Sequence, residues 1–339
     1  MIELSVVIIC KNQEWNIARL VESVLDETET IVHQEIIVVD SASTDRTVDI
    51  ACKYPINVIK LLPDQALTAA AGRYVGSNSG TGQFVFFLDG DMELHMGWLN
   101  EAMDLMHKHP DVAAVTGQLI DLPKSAQSNL NSHHKILINS PKIEIPYAGG
   151  TALYRRSILE EVGHFNPFLY SDEEPDLCIR IRHAGYRIMK IQYPVAYHYS
   201  DPAEDISTKL ARWRRNLYLG AGQNLRYHLG KETFATYVKE RGYGLIPGVI
   251  ALTGILGLIL SIVYAKSELI LSILLLLFLV LLGDAYRKRS LYKMVSSFVH
   301  RWLILFGTIR GFLMPPITKD KYLGNLEIVK KVKVQNLAG

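Results

Sequence analysis

The sequence predicts an α/β domain with a mostly parallel β-sheet and flanking helices, followed by a helical region that enters a membrane. Two observations carry this prediction. Over roughly the first 200 residues, short runs of β-branched and aliphatic residues alternate with stretches of helical periodicity. The full chain of 339 residues also combines 21% charged residues with a mean hydropathy of +0.12, which indicates that water-soluble and membrane-embedded parts coexist.

Charge and cysteine content narrow the class of protein. The net charge of +2 gives no reason to expect a nucleic-acid partner. Cys10, Cys52 and Cys178 lie far apart without metal-ligand spacing, which argues against a disulfide framework. The first residues lead directly into a strand-like run, without the basic and apolar regions of a secretory signal. We therefore expect the leading domain to lie in the cytosol.

Six elements define the first half of the predicted domain. The apolar runs predict strands at 4–9, 35–39, 58–62 and 84–88, and the patterns between them predict helices over 16–25 and from 43–45 onward. Nearly continuous apolar runs are typical of parallel strands that helices cover on both faces. In such sheets, ligands bind beyond the carboxyl ends of the strands.

Polar residues follow three of these strands at the point where each one ends. Cys10-Lys11-Asn12 follows the first strand, Asp40 the second, and Asp89-Gly90-Asp91 the fourth, so we expect the three places to cluster. Two neighbouring carboxylates repel each other unless a divalent cation lies between them and a phosphate. Oxygen ligands of this kind suit Mg²⁺ or Mn²⁺. The alternative is an ordinary solvated turn.

An uncharged stretch at 245–264 predicts a first membrane span. Its 20 residues correspond to about 30 Å of helix. A second apolar run at 269–283 follows after four residues, so we interpret 245–283 as a transmembrane hairpin, with a buried helix pair as the alternative. Basic residues flank both arms, which places both ends on the cytoplasmic side.

The chain after the hairpin is basic and partly amphipathic. The stretch 294–314 mixes aromatic and basic side chains, so it predicts either a third span or, as we favour, a helix in the membrane interface. The lysine-rich tail suits an anionic membrane surface or, equally, a solvated tail. The predicted organisation is the α/β domain at 1–225, a connector at 226–244, the hairpin at 245–283, and the interfacial helix with its tail at 284–339.

Five sequence elements, in order, resemble those of the family 2 glycosyltransferases, whose fold is called GT-A. They are VVIICKNQE at 6–14, VVDSASTDRT at 38–47, the run 69–91 that ends in FLDGD, GGTALYRR at 149–156 with VGHF at 162–165, and EEPDLCIR at 173–180. The resemblance extends over residues 3 to about 225. It implies an enzyme that transfers a sugar from a nucleotide-sugar donor with the help of Mn²⁺ or Mg²⁺.

The resemblance implies roles for individual residues. Asp40 would accept a hydrogen bond from the nucleobase, Arg73 would contact the diphosphate, and Asp91 would hold the metal. Each has a plainer alternative, since Asp40 suits a helix cap or turn and Arg73 suits an exposed helix surface. The remaining implied binding residues are Cys10, Asn12, Glu14, Gly149, Gly150, and Asp89 at the ribose or, through water, the metal; His198 would complete the metal shell.

The implied catalytic base lies in an acidic cluster. Glu174 stands where the family has aspartate, and glutamate reaches about one bond further, so Asp172 or Glu173 could serve instead. A base would take the acceptor hydroxyl's proton in a single displacement that inverts the anomeric centre. The same acidic residues also suit a helix N-terminus.

The acceptor is predicted from the basic and aromatic segment 209–227. Arg212 and Trp213 match part of the Gln-x-x-Arg-Trp motif of processive polysaccharide synthases, but Lys209 replaces the glutamine, which disfavours a processive enzyme. We therefore expect a lipid-linked saccharide or polyprenyl phosphate as acceptor. A catalytically silent nucleotide-binding scaffold is the alternative, whereas a nicotinamide dehydrogenase is disfavoured because Gly-x-Gly-x-x-Gly is lacking after the first strand.

Overall fold

The structure, a computed structural model, describes most of the chain. It covers residues 2–126, 140–200, 205–264, 289–322 and 326–332, with positions 268, 271, 272 and 275. The chain divides into two compact units, Met1–Pro202 with Ile317–Gly339, and Ala203–Pro316. The boundary after Pro202 lies earlier than the predicted one at 225, because the helices that follow Pro202 pack with a later helix of the second unit.

A mixed sheet forms the centre of the first unit, with ten strands among the described residues. The strands are β1 (Leu4–Cys10), β2 (Gln34–Asp40), β3 (Asn57–Leu61), β4 (Phe84–Asp89), β5 (Met92–Leu94), β6 (Val112–Leu122), β7 (Lys142–Glu144), β8 (Ala152–Arg155), β9 (Arg187–Tyr199) and β10 (Leu326–Lys330). Their order is β10-β3-β2-β1-β4-β8-β6-β9-β5, and β7 pairs with β9. The four predicted strands agree with β1 to β4 to within one residue at each end.

The prediction of a mostly parallel sheet is wrong for the sheet as a whole. Strands β3, β2, β1 and β4 run parallel, and β6 is parallel to β9. However, β8 is antiparallel to β4 and β6, β5 and β7 are antiparallel to β9, and β10 is antiparallel to β3. Parallel neighbours need crossovers of a dozen or more residues, which helices supply in the first half. After β4, two residues separate β4 from β5 and seven separate β7 from β8, whereas helices still separate β5 from β6 and β8 from β9.

Helices cover both faces of the sheet in the first unit. They are α1 (Ile17–Thr28), α2 (Thr47–Ala51), α3 (Ala69–Ser79), α4 (Trp98–Lys108), α5 (Arg156–Val162) and α6 (Glu173–His183). Because successive strand side chains point to opposite faces, Val6 and Ile8 pack in one core with α1 and α4. Val7 and Ile9 pack in the other core with α3, α5 and α6.

The C-terminal segment completes one edge of the sheet. Strand β10 pairs with β3, so part of the predicted basic tail is a strand of the first unit. Nζ of Lys330 donates to the backbone oxygens of Cys52 and Tyr54, at 2.7 and 2.6 Å. At least one tail lysine therefore has a structural partner and is not simply solvated.

The second unit is helical in its described residues. Its helices are α7 (Ile206–Arg214), α8 (Gly220–His228), α9 (Phe234–Arg241), α10 (Ile246–Val263) and α11 (Leu291–Leu313). Helices α8 and α11 approach closely, since a side chain at Gly222, Gly307 or Gly311 would overlap the backbone of the facing helix or of the turn before α8. Helix α11 coincides with the predicted amphipathic stretch 294–314.

The predicted membrane hairpin is described only in its first arm, α10. Within the described ranges, no single helix is both long and apolar enough to cross a membrane. One bent pair, Phe234–Leu245 with Gly248–Val263, passes by combined length and composition, and the two parts meet at 64°. Most of the predicted second arm, 269–283, lies outside the described residues.

We expect Gly76→Ala to destabilise the first unit. A Cβ at this position in α3 would overlap Cγ1 of Val7 in β1 and lie 3.2 Å from Cγ2 of Val39 in β2. Overpacking of this kind costs about 1–3 kcal/mol, and the better helix propensity of alanine returns at most about 1 kcal/mol. Urea unfolding should therefore show a net loss. The exposed neighbour Asn78→Ala is the control, and an equal loss in both variants would contradict close packing at Gly76.

Candidate active site

The carboxyl ends of β1, β2 and β4 meet at one edge of the sheet, as the sequence predicts. Cys10 pairs with Asp40 across β1 and β2, and Ile9 pairs with Asp89 across β1 and β4. The polar residues that follow these strands therefore lie next to one another. This edge is where parallel sheets bind ligands.

The loops after β1 and β2 are held together by side-chain hydrogen bonds. Oδ1 of Asn12 accepts from the backbone N–H of Thr44 at 2.9 Å, and Oε2 of Glu14 accepts from that of Arg46 at 3.1 Å. Asn12 also has a left-handed φ of 54°, which asparagine tolerates better than most residues. The observed contacts of Asn12 and Glu14 thus fix the loops, and their role in donor binding stays a prediction.

Asp40 is fully buried at the end of β2. Its Oδ2 accepts from the backbone N–H of Ser43 at 2.8 Å, so the turn role that was the alternative interpretation is present. The thiol of Cys10 donates to Oδ1 of Asp40 over 3.8 Å, and burial raises the pKa of Cys10 well above its usual value. The predicted nucleobase contact of Asp40 stays a prediction.

Arg73 joins three elements in the interior of the site. Its side chain in α3 is 2% exposed. Nη1 donates to Oε1 of Glu173 at 2.6 Å, and Nη2 donates to Oδ1 of Asp89 at 2.8 Å. Nη2 also lies 3.4 Å from Oε1 of Glu174. The guanidinium therefore connects the carboxylate at the end of β4 with both glutamates that open α6, a contact that sequence reasoning missed because no sequence spacing relates these residues.

Burial dominates the ionisation of this cluster. It raises the pKa of Asp89 to about 6, against the lowering effect of Arg73 and with a further rise from Asp91. Burial, followed by the charge of Glu174, also raises the pKa of Glu173. Burial alone lowers the pKa of Arg73, but its carboxylate neighbours, Asp89 first, outweigh this and raise it. The guanidinium is therefore a permanent cation among titrating acids.

The three candidate bases differ in their surroundings. Asp172 precedes α6 in a left-handed conformation, with φ of 58°. The side chain of Glu173 is 7% exposed and pairs with Arg73, whereas that of Glu174 is 19% exposed. Among the two glutamates, Glu174 is the more accessible to an acceptor hydroxyl.

Gly150 allows these charges to approach the backbone between β7 and β8. A Cβ there would lie 2.6 Å from Nη2 of Arg73, 3.0 Å from Oδ2 of Asp89 and 3.3 Å from Oε1 of Glu174. Gly149 has a left-handed φ of 75°, which favours glycine. The predicted Gly149-Gly150 pair is thus brought beside the predicted base.

Asp91 and His198 form a second group of polar side chains. Strands β5 and β9 place Met92 opposite His198, and Nε2 of His198 lies 3.6 Å from Oδ2 of Asp91. Nδ1 of His198 is 2.8 Å from Oδ1 of Asp121, a neighbour that sequence reasoning missed. The hydrogen bond with Asp91 and then that with Asp121 raise the pKa of His198 to about 9.

The residues of this second group fit a divalent metal in part. Among the described residues, the buried Oδ1 of Asp91 has no hydrogen-bond partner, as expected for an atom that awaits a ligand. No group of three or more acidic, histidine or cysteine side chains within the described ranges is arranged to hold a metal ion. Mg²⁺ and Mn²⁺ need only one or two protein carboxylates when water and phosphate oxygens complete the shell. Asp91 supplies one such carboxylate, and His198 would add a ring nitrogen only after losing its proton.

Asn16 positions the turn that carries Asp91. Its side chain is buried, and Nδ2 donates to the backbone oxygens of Gly90 at 3.0 Å and Met92 at 2.7 Å. Sequence reasoning missed this residue because an asparagine before a helix is normally interpreted as its cap. Here Asn16 holds a segment more than 70 residues away in sequence.

Arg212 and Trp213 belong to the second unit. Both lie in α7, and the ring of Trp213 lies 6.3 Å from that of Tyr218. Nζ of Lys209, which replaces the motif glutamine, donates to the backbone oxygen of Ser296 in α11 at 3.3 Å. Their predicted part in acceptor binding stays a prediction.

Comparison with known families assigns the class. Residues 5–163 match the sequence model described as "Glycosyl transferase family 2". This segment contains strands β1 to β8. It includes α3, which carries Arg73, and β4, which ends at Asp89. Residues 5–163 are therefore similar to a family 2 glycosyltransferase domain, and the chain is a glycosyltransferase.

Curated relatives belong to the same class. The chain is 25% identical over 224 residues to the glycosyltransferase AglE of Haloferax volcanii, covering 62% of this chain and 71% of that protein. It is 26% identical over 212 residues to the poly(ribitol-phosphate) β-N-acetylglucosaminyltransferase TarS of Staphylococcus aureus. That match covers 60% of this chain but only 36% of TarS, so the chain spans little more than a third of that relative.

Solved structures show a GT-A-like fold. The crystal structure of S. aureus TarS 1–349 in complex with UDP-GlcNAc matches with a TM-score of 0.50 and 16% identity, over 86% of this chain and 93% of that one. The structure of GalNAc-T7 with UDP, GalNAc and Mn²⁺ matches with a TM-score of 0.51 and 16% identity, over 72% and 57%. At these identities the likeness establishes the fold alone.

We expect Arg73→Met to destabilise the protein more at pH 8 than at pH 5. Removing one partner of a buried ion pair costs about 3–5 kcal/mol. Without the cation, the folded-state pKa values of Asp89 and Glu173 rise further above their unfolded values. The folded variant then binds more protons than the unfolded chain, so its stability recovers as pH falls through the raised pKa.

Urea unfolding at both pH values measures this difference against the wild type. Arg46→Met is the control, because Arg46 is 78% exposed and its pair with Glu14 contributes at most about 1 kcal/mol. A deficit that is equal at pH 5 and pH 8 would contradict the assignment of Arg73 as the counter-ion of the buried carboxylates.

Proposed function

We propose that this enzyme transfers a single sugar from a nucleotide-sugar, with inversion, to a membrane-associated acceptor in cell-surface polysaccharide synthesis. The observation that carries the proposal is the cluster of Arg73, Asp89 and Glu174 at the carboxyl ends of the strands, within a family 2 domain. This cluster combines a buried cation with a carboxylate that an acceptor can reach. A donor diphosphate beside it would complete the chemistry of sugar transfer.

Asp91 and His198 are the residues that would hold Mn²⁺ or Mg²⁺, with water and diphosphate oxygens as further ligands. The bound cation would stabilise the negative charge that develops on the departing diphosphate, an effect worth several kcal/mol. The unpartnered oxygen of Asp91 and the Mn²⁺ in the GalNAc-T7 structure support this assignment. Asn16 supports it structurally, since it fixes the turn on which Asp91 lies.

Glu174 is the proposed base. Its side chain lies in the first turn of α6. The adjacent guanidinium of Arg73 keeps it oriented, and the lack of a side chain at Gly150 leaves room beside it. Glu174 would accept the proton of the acceptor hydroxyl as that oxygen attacks the anomeric carbon.

The character of the second unit supports a membrane-associated acceptor. Helix α10 exposes large aliphatic side chains along its length, including Val249, Leu252 and Ile259. Helix α11 exposes Phe298 and Phe306 among basic residues. These features support an inner-membrane location with the catalytic domain in the cytosol, and an acceptor such as a lipid-linked saccharide or polyprenyl phosphate. The relative TarS is named as a transferase that acts on poly(ribitol-phosphate), which supports an acceptor that is part of a polymer.

We expect Asp91→Asn to abolish metal-dependent turnover. The purified full-length protein is assayed with Mn²⁺ or Mg²⁺ and a panel of UDP-, GDP- and dTDP-sugars, by release of the nucleoside diphosphate. Loss of a metal ligand should lower turnover by about 100-fold or more, since each 1.36 kcal/mol is tenfold. Mn²⁺ binding in the presence of UDP, measured by electron paramagnetic resonance, should weaken in parallel.

Asp104→Asn is the control, because Asp104 is 72% exposed in α4. Full turnover by Asp91→Asn would overturn the metal assignment. A wild-type protein that binds UDP with Mn²⁺ but turns over no donor, with or without a membrane extract as acceptor source, would instead identify a silent binding module.

We expect Glu174→Gln to lower kcat by about 100-fold or more with little change in donor KM. An amide keeps the shape of the side chain but cannot accept the proton, and general bases contribute about 10²–10⁴ in rate. Asp172→Asn should stay within about tenfold of the wild type on the same scale. If single-turnover assays instead show a larger loss of transfer rate in Asp172→Asn than in Glu174→Gln, Asp172 is the base.

A further inference from the structure

A short C-terminal segment packs on the outer side of the elements that carry the site's charges. Tyr322, in the first unit, is only 8% exposed. Its ring makes edge-to-face contacts with Tyr74 of α3 at 5.8 Å and with Phe168 of the loop before α6 at 5.6 Å, between centroids. Its hydroxyl donates to the backbone oxygen of Ala66, just before α3, at 3.2 Å. Tyr322 therefore contacts both α3, with the segment just before it, and the loop that leads into α6.

These contacts lie close in sequence to the charged cluster, and one of them is on the residue next to Arg73. Tyr74 follows Arg73 in α3, and the loop that contains Phe168 leads into Glu173 and Glu174. The start of α3 and the loop before α6 also contact each other directly. The hydroxyl of Thr68, the cap of α3, donates to the backbone oxygen of Pro167 at 2.8 Å. Tyr322 adds a second connection between α3 and this loop.

Lys319 fixes the same segment at another point. Its Nζ donates to the backbone oxygen of His164 at 2.9 Å, and Nη2 of Arg180 donates to the same oxygen at 2.7 Å. Arg180 in turn pairs with the buried Asp176 in α6 at 2.7 Å. The segment 319–322 thus contacts the 165–172 loop at Phe168 and the chain just before it at His164.

We propose that Tyr322 is a positioning residue for sugar transfer. It holds α3 against the 165–172 loop so that Arg73 keeps Asp89 and Glu174 in register with each other. The proposal rests on the function proposed above. Misplacement of reacting groups by about 1 Å can lower a rate about 100-fold, so the expected signature is a loss of kcat. Donor KM should change little, because the loops after β1 and β2 do not involve Tyr322.

The test compares Tyr322→Ala with Tyr322→Phe in the full-length protein. We expect Tyr322→Ala to lower kcat by about 10- to 100-fold with donor KM within about threefold. Tyr322→Phe keeps both ring contacts and should restore kcat to within about threefold of the wild type. Hydrogen exchange should be faster in 69–79 and 165–172 in the alanine variant only.

Two controls separate positioning from general destabilisation. Val24→Ala removes buried volume from α1 in the core on the other face of the sheet, and Ile328→Ala alters an exposed side chain of β10. Wild-type kcat in Tyr322→Ala would overturn the proposal. An equal loss of kcat in Val24→Ala, at an equal drop in Tm, would overturn it too.

The proposed function can fail separately. If the wild type turns over no nucleotide-sugar, sugar transfer is rejected. Hydrogen exchange alone then tests whether Tyr322 holds α3 against the 165–172 loop. Unchanged exchange in 69–79 and 165–172 of Tyr322→Ala would then overturn the role of Tyr322, and faster exchange confined to these segments would support it.

Discussion

The guanidinium of Arg73 is the group on which the arrangement of the site depends. It is buried in α3, and a buried charge is tolerated only when it is paired and hydrogen-bonded. Its partners come from β4 and from the start of α6, so all three elements must be in place together. The cost of leaving any of these charges unpaired links the fold of the first unit to the position of the candidate catalytic carboxylates. Gly150 belongs to the same constraint, because a side chain there would displace the cluster.

The mixed sheet positions the second group of polar side chains. Because β9 runs antiparallel to β5, His198 lies opposite Met92 and reaches Asp91. The same strand is parallel to β6, which brings Asp121 opposite His198. Asn16 holds the turn between β4 and β5, because its side chain donates to the backbone oxygens of Gly90 and Met92. The candidate metal group therefore depends on β5, β6 and β9, and the predicted nucleotide-binding edge depends on the parallel strands β1, β2 and β4.

The C-terminal segment shows how a part distant in sequence joins the catalytic domain. Basic composition alone is compatible with a solvated tail or a membrane surface, because lysine side chains suit both. In the structure, β10 pairs with β3, and the ring of Tyr322 contacts the rings of Tyr74 and Phe168. An unprotected edge strand would otherwise present unpaired backbone groups. The segment thus serves the first unit, although it follows the second unit in the chain.

The sequence by itself determined the strands β1 to β4, the polar residues at their ends and the family resemblance, because apolar periodicity and short motifs are local properties. It also indicated that the three strand ends cluster, since parallel strands share one edge. Only the tertiary structure decided the antiparallel pairings, the partners of Arg73, and the contacts of Asn16 and Tyr322. Most of these contacts join residues far apart in sequence, such as the 100 positions between Arg73 and Glu173 and the 256 between Ala66 and Tyr322. They also depend on burial, which no local pattern records.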